Sequence, residues 1–148
     1  CLEIYGMHSS VRIPTFKVNL YSSIDMYPIF DFIPHVILEN AIKYSPPEQE
    51  VQVFFEEDSK GFEVRVESIG PHVPREELPH LFEKNFRGST AKVLDTSGGG
   101  YGLYFAKLIG DLHGIDMKAS SSEPFMKYNG IDYSPFIIEI TYKKGHSK

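Results

Sequence analysis

This 148-residue chain has a single cysteine, Cys1. One thiol can neither close an internal disulfide nor build a multi-cysteine zinc site, so a reducing, cytoplasmic setting is expected. Long apolar runs are also missing. No stretch approaches the roughly 18 consecutive apolar residues of a membrane helix, and no basic, apolar leader precedes a cleavage site. The chain starts at Cys1 and not at Met, so a piece of a longer protein is expected, with any membrane or sensor segment outside it and no membrane contact of its own. Positive charge is scarce: the net charge is -5, and residues 1–74 carry 5 basic against 11 acidic side chains, residues 75–148 10 against 9. That balance argues against a nucleic-acid partner, which calls for a basic footprint. A small anion is another matter, because a few backbone amides and one or two cations hold a phosphate. The six histidines (His8, His35, His72, His80, His113 and His146) show no metal-ligand spacing.

What the chain does have is apolar mass. It is 41% hydrophobic, with 11 Phe and 9 Tyr, enough to offset chain entropy in one domain over residues 1–148. Phe16 to Tyr21 alternates as a half-buried strand does. A helix is expected at about 34–44, with Pro34 at its start and Ser45-Pro46-Pro47 ending it. Its apolar groups lie nearly all round, which predicts a buried, central helix. Strands at 51–55 and 62–67 are joined by the charged segment 56–61 as a hairpin. Pro74, with Glu76 and Glu77 in a first turn, opens a short helix toward Phe82. Residues 84–100 show no period, as a functional or mobile loop would. Tyr101 to His113 reads as a helix with Tyr101, Phe105, Leu108 and Leu112 as its apolar stripe and Gly114 as its cap. Strands at 115–121 and 136–142 flank a polar loop at 122–135. The order predicts an α+β sandwich, a mixed, largely antiparallel sheet with helices packed on one face.

Four groups of residues could carry chemistry. Asn40, Lys43 and Tyr44 share one helix face, where they either meet the Mg²⁺, phosphate and ribose of a nucleotide or form the solvated C-terminal end of a helix. Glu67 to Pro74 is a turn between a strand and a helix, where Gly70 permits close approach of a flat ligand and Ser68 can bond a base edge; it also fits an ordinary connection. Thr96 to Leu103 leads three glycines into a helix N-terminus, which either cradles phosphate or serves as a flexible linker. No buried parallel strand precedes those glycines and no acidic residue follows at the interval of a dinucleotide fold. In Leu81 to Gly88, Phe82 and Phe86 read as core or lid anchors, and Arg87 lies within reach of a phosphate or is simply exposed.

The order of these groups resembles the ATP-binding catalytic domain of sensor histidine kinases, in the GHKL superfamily (gyrase, chaperone, histidine kinase and MutL). Leu38-Glu39-Asn40-Ala41-Ile42-Lys43-Tyr44-Ser45-Pro46 is similar to its N box. Leu81-Phe82-Glu83-Lys84-Asn85-Phe86-Arg87-Gly88 resembles the F box, and Gly98-Gly99-Gly100-Tyr101-Gly102-Leu103-Tyr104 the second glycine box. The likeness covers about residues 16–142. It implies the Bergerat ATP-binding fold, with ATP between the central helix and a lid at about 84–100.

The resemblance implies Asn40 on Mg²⁺, Lys43 and Tyr44 at the phosphates and ribose, and Ser68, Gly70, His72 and Val73 around adenine. Phe82, Gly98, Gly99, Gly100, Tyr101, Gly102 and Leu103 belong to the same ATP site, and Arg87, with Lys43, takes the catalytic role at the γ-phosphate. The implied partners are a phosphoacceptor histidine on a helix pair outside this chain and a response regulator downstream. Two departures stand out. Ser68 replaces the aspartate of the first glycine box and His72 its second glycine, which exchanges a charge-assisted bond for a neutral one weaker by about 1 to 2 kcal/mol, roughly tenfold in affinity. Val36 stands where the family has Asn, or Glu in its hydrolytic members, so efficient ATP hydrolysis by this domain alone is not expected. A degenerate nucleotide-binding or interaction module without kinase activity is the alternative.

Overall fold

A computed structural model describes residues 31–94 and 99–145. The expected strand at 16–21 lies outside the described residues, as does Gly98. The elements run α1 (Phe32–Tyr44), β1 (Gln52–Asp58), β2 (Gly61–Pro71), a 3-10 turn (Leu78–His80), α2 (Ser89–Leu94), α3 (Gly102–Leu112), β3 (Ile115–Ser121), β4 (Met126–Tyr128) and β5 (Ile131–Lys143).

Among the described residues every strand pairing is antiparallel, in the order β1-β2-β5-β3, with β4 continuing along β5 beyond β3. The period-2 alternation turns Phe62, Val64, Val66 and Ser68 of β2 to the same side as Phe136, Ile138 and Ile140 of β5. Two helices cover that side: α1 packs on β2 and α3, and α3 on β3. The core joins Ile33, Val36, Ile37 and Ala41 of α1 to Val66, Ile138, Ile140, Met117, Ala106 and Ile109. Charged side chains hold the opposite face, where Arg65 Nε lies 2.9 Å from Glu67 Oε1 and the guanidinium stacks over Phe54. Helices on one face of an antiparallel sheet is the expected class.

α1 keeps Pro34 in its first turn, where the missing N–H costs nothing. At its other end the Ser45 hydroxyl donates toward the carbonyls of Ala41 (2.7 Å) and Ile69 (3.0 Å), which ties the helix end to β2. The expected burial nearly all round does not hold: the helix is buried on one side only, since His35, Glu39 and Lys43 are exposed.

Five further local expectations change. The supposed turn at 67–74 is strand as far as Pro71, because β5 is long enough to pair Gly70 with Ser134 and Pro71 with Tyr133. The helix expected from Pro74 to Phe82 shrinks to the 3-10 turn, whose own Pro79 removes another backbone donor. The patternless segment 84–100 contains α2, held at its start by the Glu77 carboxylate, which accepts from Ser89 N–H at 3.0 Å. The loop at 122–135 holds a hairpin, β4 to β5, turned by Asn129 and Gly130 with φ of 49° and 76°; two positive φ angles are what an Asn-Gly pair supplies.

The fifth change concerns α3. Its expected core stripe is exposed: Tyr101 41%, Phe105 46%, Leu108 42% and Leu112 83%. Small residues face inward instead, Ala106 and Gly110 beside Ile109. A Cβ on Gly110 would lie 3.3 Å from Met117 Sδ and 3.5 Å from the Ile115 carbonyl oxygen. The helix therefore lies too close to β3 for large side chains on that face.

Gly100 has φ +72°, and a Cβ there would fall 2.7 Å from the Phe86 carbonyl oxygen and 2.8 Å from the Asn85 carbonyl carbon. Two chain segments meet there without room for a methyl group. Gly100→Ala should lower the unfolding free energy by about 2 kcal/mol or more, measured by urea denaturation. A loss under about 0.5 kcal/mol would show that the segments part freely.

Candidate functional site

Between the C-terminal half of α1, the end of β2, β5 and the start of α3 lies a cavity of about 310 Å³. That volume is at the lower end of small-molecule sites, about 300–1,000 Å³. Its floor is apolar and comes from three elements: Ile37 and Ala41 of α1, Val66 of β2, and Phe136 and Ile138 of β5. Such a floor suits a flat ring.

Polar groups gather round the rim. Asn40, Lys43 and Tyr44 line the cavity from α1, and Lys43 Nζ stands 5.3 Å from the centre of the Tyr44 ring. From the strand end come Ser68, Gly70, His72 and Val73. A backbone bond from His72 N–H to the Asp132 carbonyl (2.9 Å) keeps the chain beside β5 after the strand ends. His72 Nδ1 then lies 3.3 Å from Ser134 Oγ, Ser134 Oγ lies 2.8 Å from Ser121 Oγ, and Val73 N–H donates to Ser121 Oγ at 3.4 Å. Ser134 is completely buried.

The opposite side comes from the segment before α2 and the start of α3. Asn85, at φ 62°, turns the chain so that Phe86 and Arg87 reach the cavity; Asn tolerates that conformation better than most residues. Arg87 Nη2 donates to the Ala91 carbonyl at 3.3 Å, within the same segment. Gly99, Gly100, Tyr101, Gly102 and Leu103 complete the wall. The first amides of α3 have no carbonyl one turn back to bond, and the N-cap residue Tyr101 makes no side-chain cap among the described residues. Lys43 and Arg87 line the same cavity as the start of that helix. No Asp or Glu lines the cavity among the described residues. In a chain of net charge -5, that lining selects for an anion.

Thirteen of the residues singled out from the sequence meet in this one cavity: Asn40, Lys43, Tyr44, Ser68, Gly70, His72, Val73, Arg87, Gly99, Gly100, Tyr101, Gly102 and Leu103. Phe82 does not; it packs against the core instead. Gly98 lies outside the described residues. Val36 is buried next to Gly102, where a Cβ would come within 3.1 Å of Val36 Cγ1. The sequence reading missed the floor. Phe136 and Ile138 sat in an expected strand, and their alternation gave the face they share but not the ligand space above it.

Among the described residues no helix is long and apolar enough to cross a membrane. Comparison with known proteins agrees with the geometry. The family model for histidine kinase-, DNA gyrase B- and HSP90-like ATPases matches residues 35–140. Sensor histidine kinase YkoH of Bacillus subtilis is 41% identical over 86 residues, 58% of this chain and 18% of its own length. Sensor histidine kinase WalK of the same organism is 33% identical over 109 residues, 71% of this chain and 17% of its own. The chain thus spans less than a fifth of the length of either relative. Among solved structures, the mycobacterial sensor histidine kinase MprB aligns with a TM-score of 0.63 at 26% identity, over 76% of this chain and 70% of that one. Full-length ShkA in complex with AMPPNP shares the fold at a TM-score of 0.51 and 18% identity, over 73% of this chain and 20% of that one. The chain belongs to the histidine kinase-, DNA gyrase B- and HSP90-like ATPase family, as an ATP-binding catalytic domain of the sensor histidine kinase kind.

Proposed function

We propose that this chain binds Mg²⁺-ATP in the cavity and donates the γ-phosphoryl group to a histidine on a helix pair outside it, within a cytoplasmic signalling protein that passes the group to a response regulator. The observation that carries this reading is the charge of the lining: Lys43, Arg87 and the α3 amides on one side, with no carboxylate among the described residues. The AMPPNP bound to the structural neighbour ShkA is in keeping with it.

In this reading the base rests on the apolar floor beside Ser68, and the phosphates extend toward Gly99–Gly102. Lys43 and Tyr44 sit at the phosphates and ribose, and Arg87 offsets charge on the γ-phosphoryl oxygens. Among the described residues no three His, Cys, Asp or Glu side chains form a metal cage. That fits Mg²⁺, which keeps phosphate oxygens and waters and needs only one or two protein ligands. Asn40, through its amide oxygen, is the residue to supply one, and the ion when bound neutralises phosphate charge.

The transfer itself needs little from the protein beyond positioning. A lone pair on the acceptor imidazole forms the N–P bond, the bond from Pγ to the β,γ-bridging oxygen breaks, and ADP leaves with that electron pair. Any base for the imidazole proton belongs to the acceptor. Val36, packed against Gly102, offers no base to activate water, so the domain spends little ATP on hydrolysis.

The exposed stripe of Tyr101, Phe105, Leu108 and Leu112 begins at the cavity wall. Apolar groups contiguous on one helix face suit an amphipathic helix pair, the kind of element that carries the acceptor.

Three outcomes are expected. Mg²⁺-ATP at a hundredfold excess over its Kd should stabilise the fold by about 2.7 kcal/mol, a rise in Tm of roughly 5–10 °C; no shift at millimolar nucleotide rejects the reading. Asn40→Ala should remove the Mg²⁺ dependence of that rise, and an unchanged dependence would reassign the metal. Leu108→Glu should leave nucleotide binding intact and cut phosphoryl transfer to an added acceptor helix pair at least tenfold. Equal transfer by wild type and variant would place the docking face elsewhere.

A further inference from the structure

The strand end of the cavity presents an unusual set of polar groups. Ser68 is 6% exposed, lines the cavity over the apolar floor, and its hydroxyl makes no hydrogen bond among the described residues. His72 lines the same cavity four residues further on, backed by the chain of Ser134 and Ser121 hydroxyls at 3.3 and 2.8 Å. Every one of these groups can both give and accept a hydrogen bond. A hydroxyl rotates to suit, a neutral imidazole exchanges tautomers, and the Ser121–Ser134 bond runs in either direction. No carboxylate among the described residues fixes the direction.

Direction is what separates the two purine classes. A 6-aminopurine shows an N–H donor at C6 and an acceptor at N1, whereas a 6-oxopurine shows an acceptor at C6 and an N–H donor at N1. A buried carboxylate, which only accepts, would pair with the first and set its lone pairs against the second. Buried mismatches of that kind discriminate strongly, by factors on the order of 10⁴ where a site is built around one hydrogen bond. A hydroxyl at the same place accepts from the amino group or donates to the carbonyl.

We propose that Ser68, with His72 on the same cavity, makes this a purine site of relaxed C6 selectivity, which takes 6-oxopurine nucleoside triphosphates alongside ATP. The inference rests on the nucleotide reading above and adds the class of base. His72 contributes because its ring can turn either nitrogen's role outward while Ser134 adjusts behind it. The apolar floor still demands a ring, so affinity does not come from the triphosphate alone.

The test is calorimetric titration of the 148-residue chain with Mg²⁺-ATP, Mg²⁺-ITP, Mg²⁺-CTP and Mg²⁺-tripolyphosphate. ITP should bind within tenfold of ATP, and both at least tenfold more tightly than CTP or tripolyphosphate. Ser68→Asp should hold ATP as well as or better than wild type and weaken ITP at least a hundredfold. Ser68→Ala, which keeps the volume smaller and neutral, should weaken ATP and ITP by similar factors. If ATP binds and ITP is weaker by more than tenfold in the wild type, the selectivity proposal fails while the nucleotide reading stands. CTP or tripolyphosphate binding as tightly as ATP also overturns it, since no base would be read. If nothing binds, the nucleotide reading itself falls. The wild-type ratio decides the matter even should Ser68→Asp fail to fold.

Discussion

The close contact between α1 and the first turn of α3 sets the rest of the structure in place. Gly102 has no side chain to hold the two helices apart, and a Cβ there would already press on Val36 Cγ1 at 3.1 Å. Because the helices meet at that point, the α3 amides and the Asn40–Tyr44 end of α1 face the same space. Gly110 repeats the device one element on, letting α3 settle against β3 beside Met117. Each close approach replaces side-chain bulk with backbone proximity, and the cavity is what remains between the elements so positioned.

Charge then separates from shape. The sheet floor is made by the same alternation that builds the core, so the cavity extends the core with its top removed. What gives it chemistry is the rim, where Lys43 and Arg87 come from segments more than forty residues apart. An acidic chain has placed two cations, Lys43 and Arg87, on one opening, with no carboxylate lining it among the described residues. Electrostatic attraction of that kind draws a polyanion against the overall charge, because local groups dominate within a Debye length of about 8–10 Å. Ser68 lies on β2 and the two cations on α1 and on the segment before α2, so under the proposed reading base reading and phosphate holding fall to different parts of one site.

Much of this was legible in the sequence, for physical reasons that can be named. Helix α1 and the hairpin of β1 and β2 follow from periodicity and from Pro46-Pro47, and the motif residues lie on one cavity because their spacing reflects fixed elements. The failures share a cause: partners distant in the chain overrode local signals. Gly70 and Pro71 look like a turn until β5 pairs with them. The stripe on α3 looks like a core face until Ala106 and Gly110 show that the sheet lies too near for anything large. Phe82, read as part of the site, serves the core, while Phe136, read only as strand, floors the cavity. The Asn129-Gly130 pair was a local signal in plain view, hidden by the polar composition around it.

Amide hydrogen exchange with and without Mg²⁺-ATP tests the central claim most directly, since it reads both ends of the site at once. The account predicts added protection in three separate stretches, around Asn40–Tyr44, Ser68–Val73 and Gly99–Leu103, with the hairpin end of β1 and β2 at residues 56–62, which does not line the cavity, unchanged. Protection confined to that hairpin end, or none at saturating nucleotide, would contradict it.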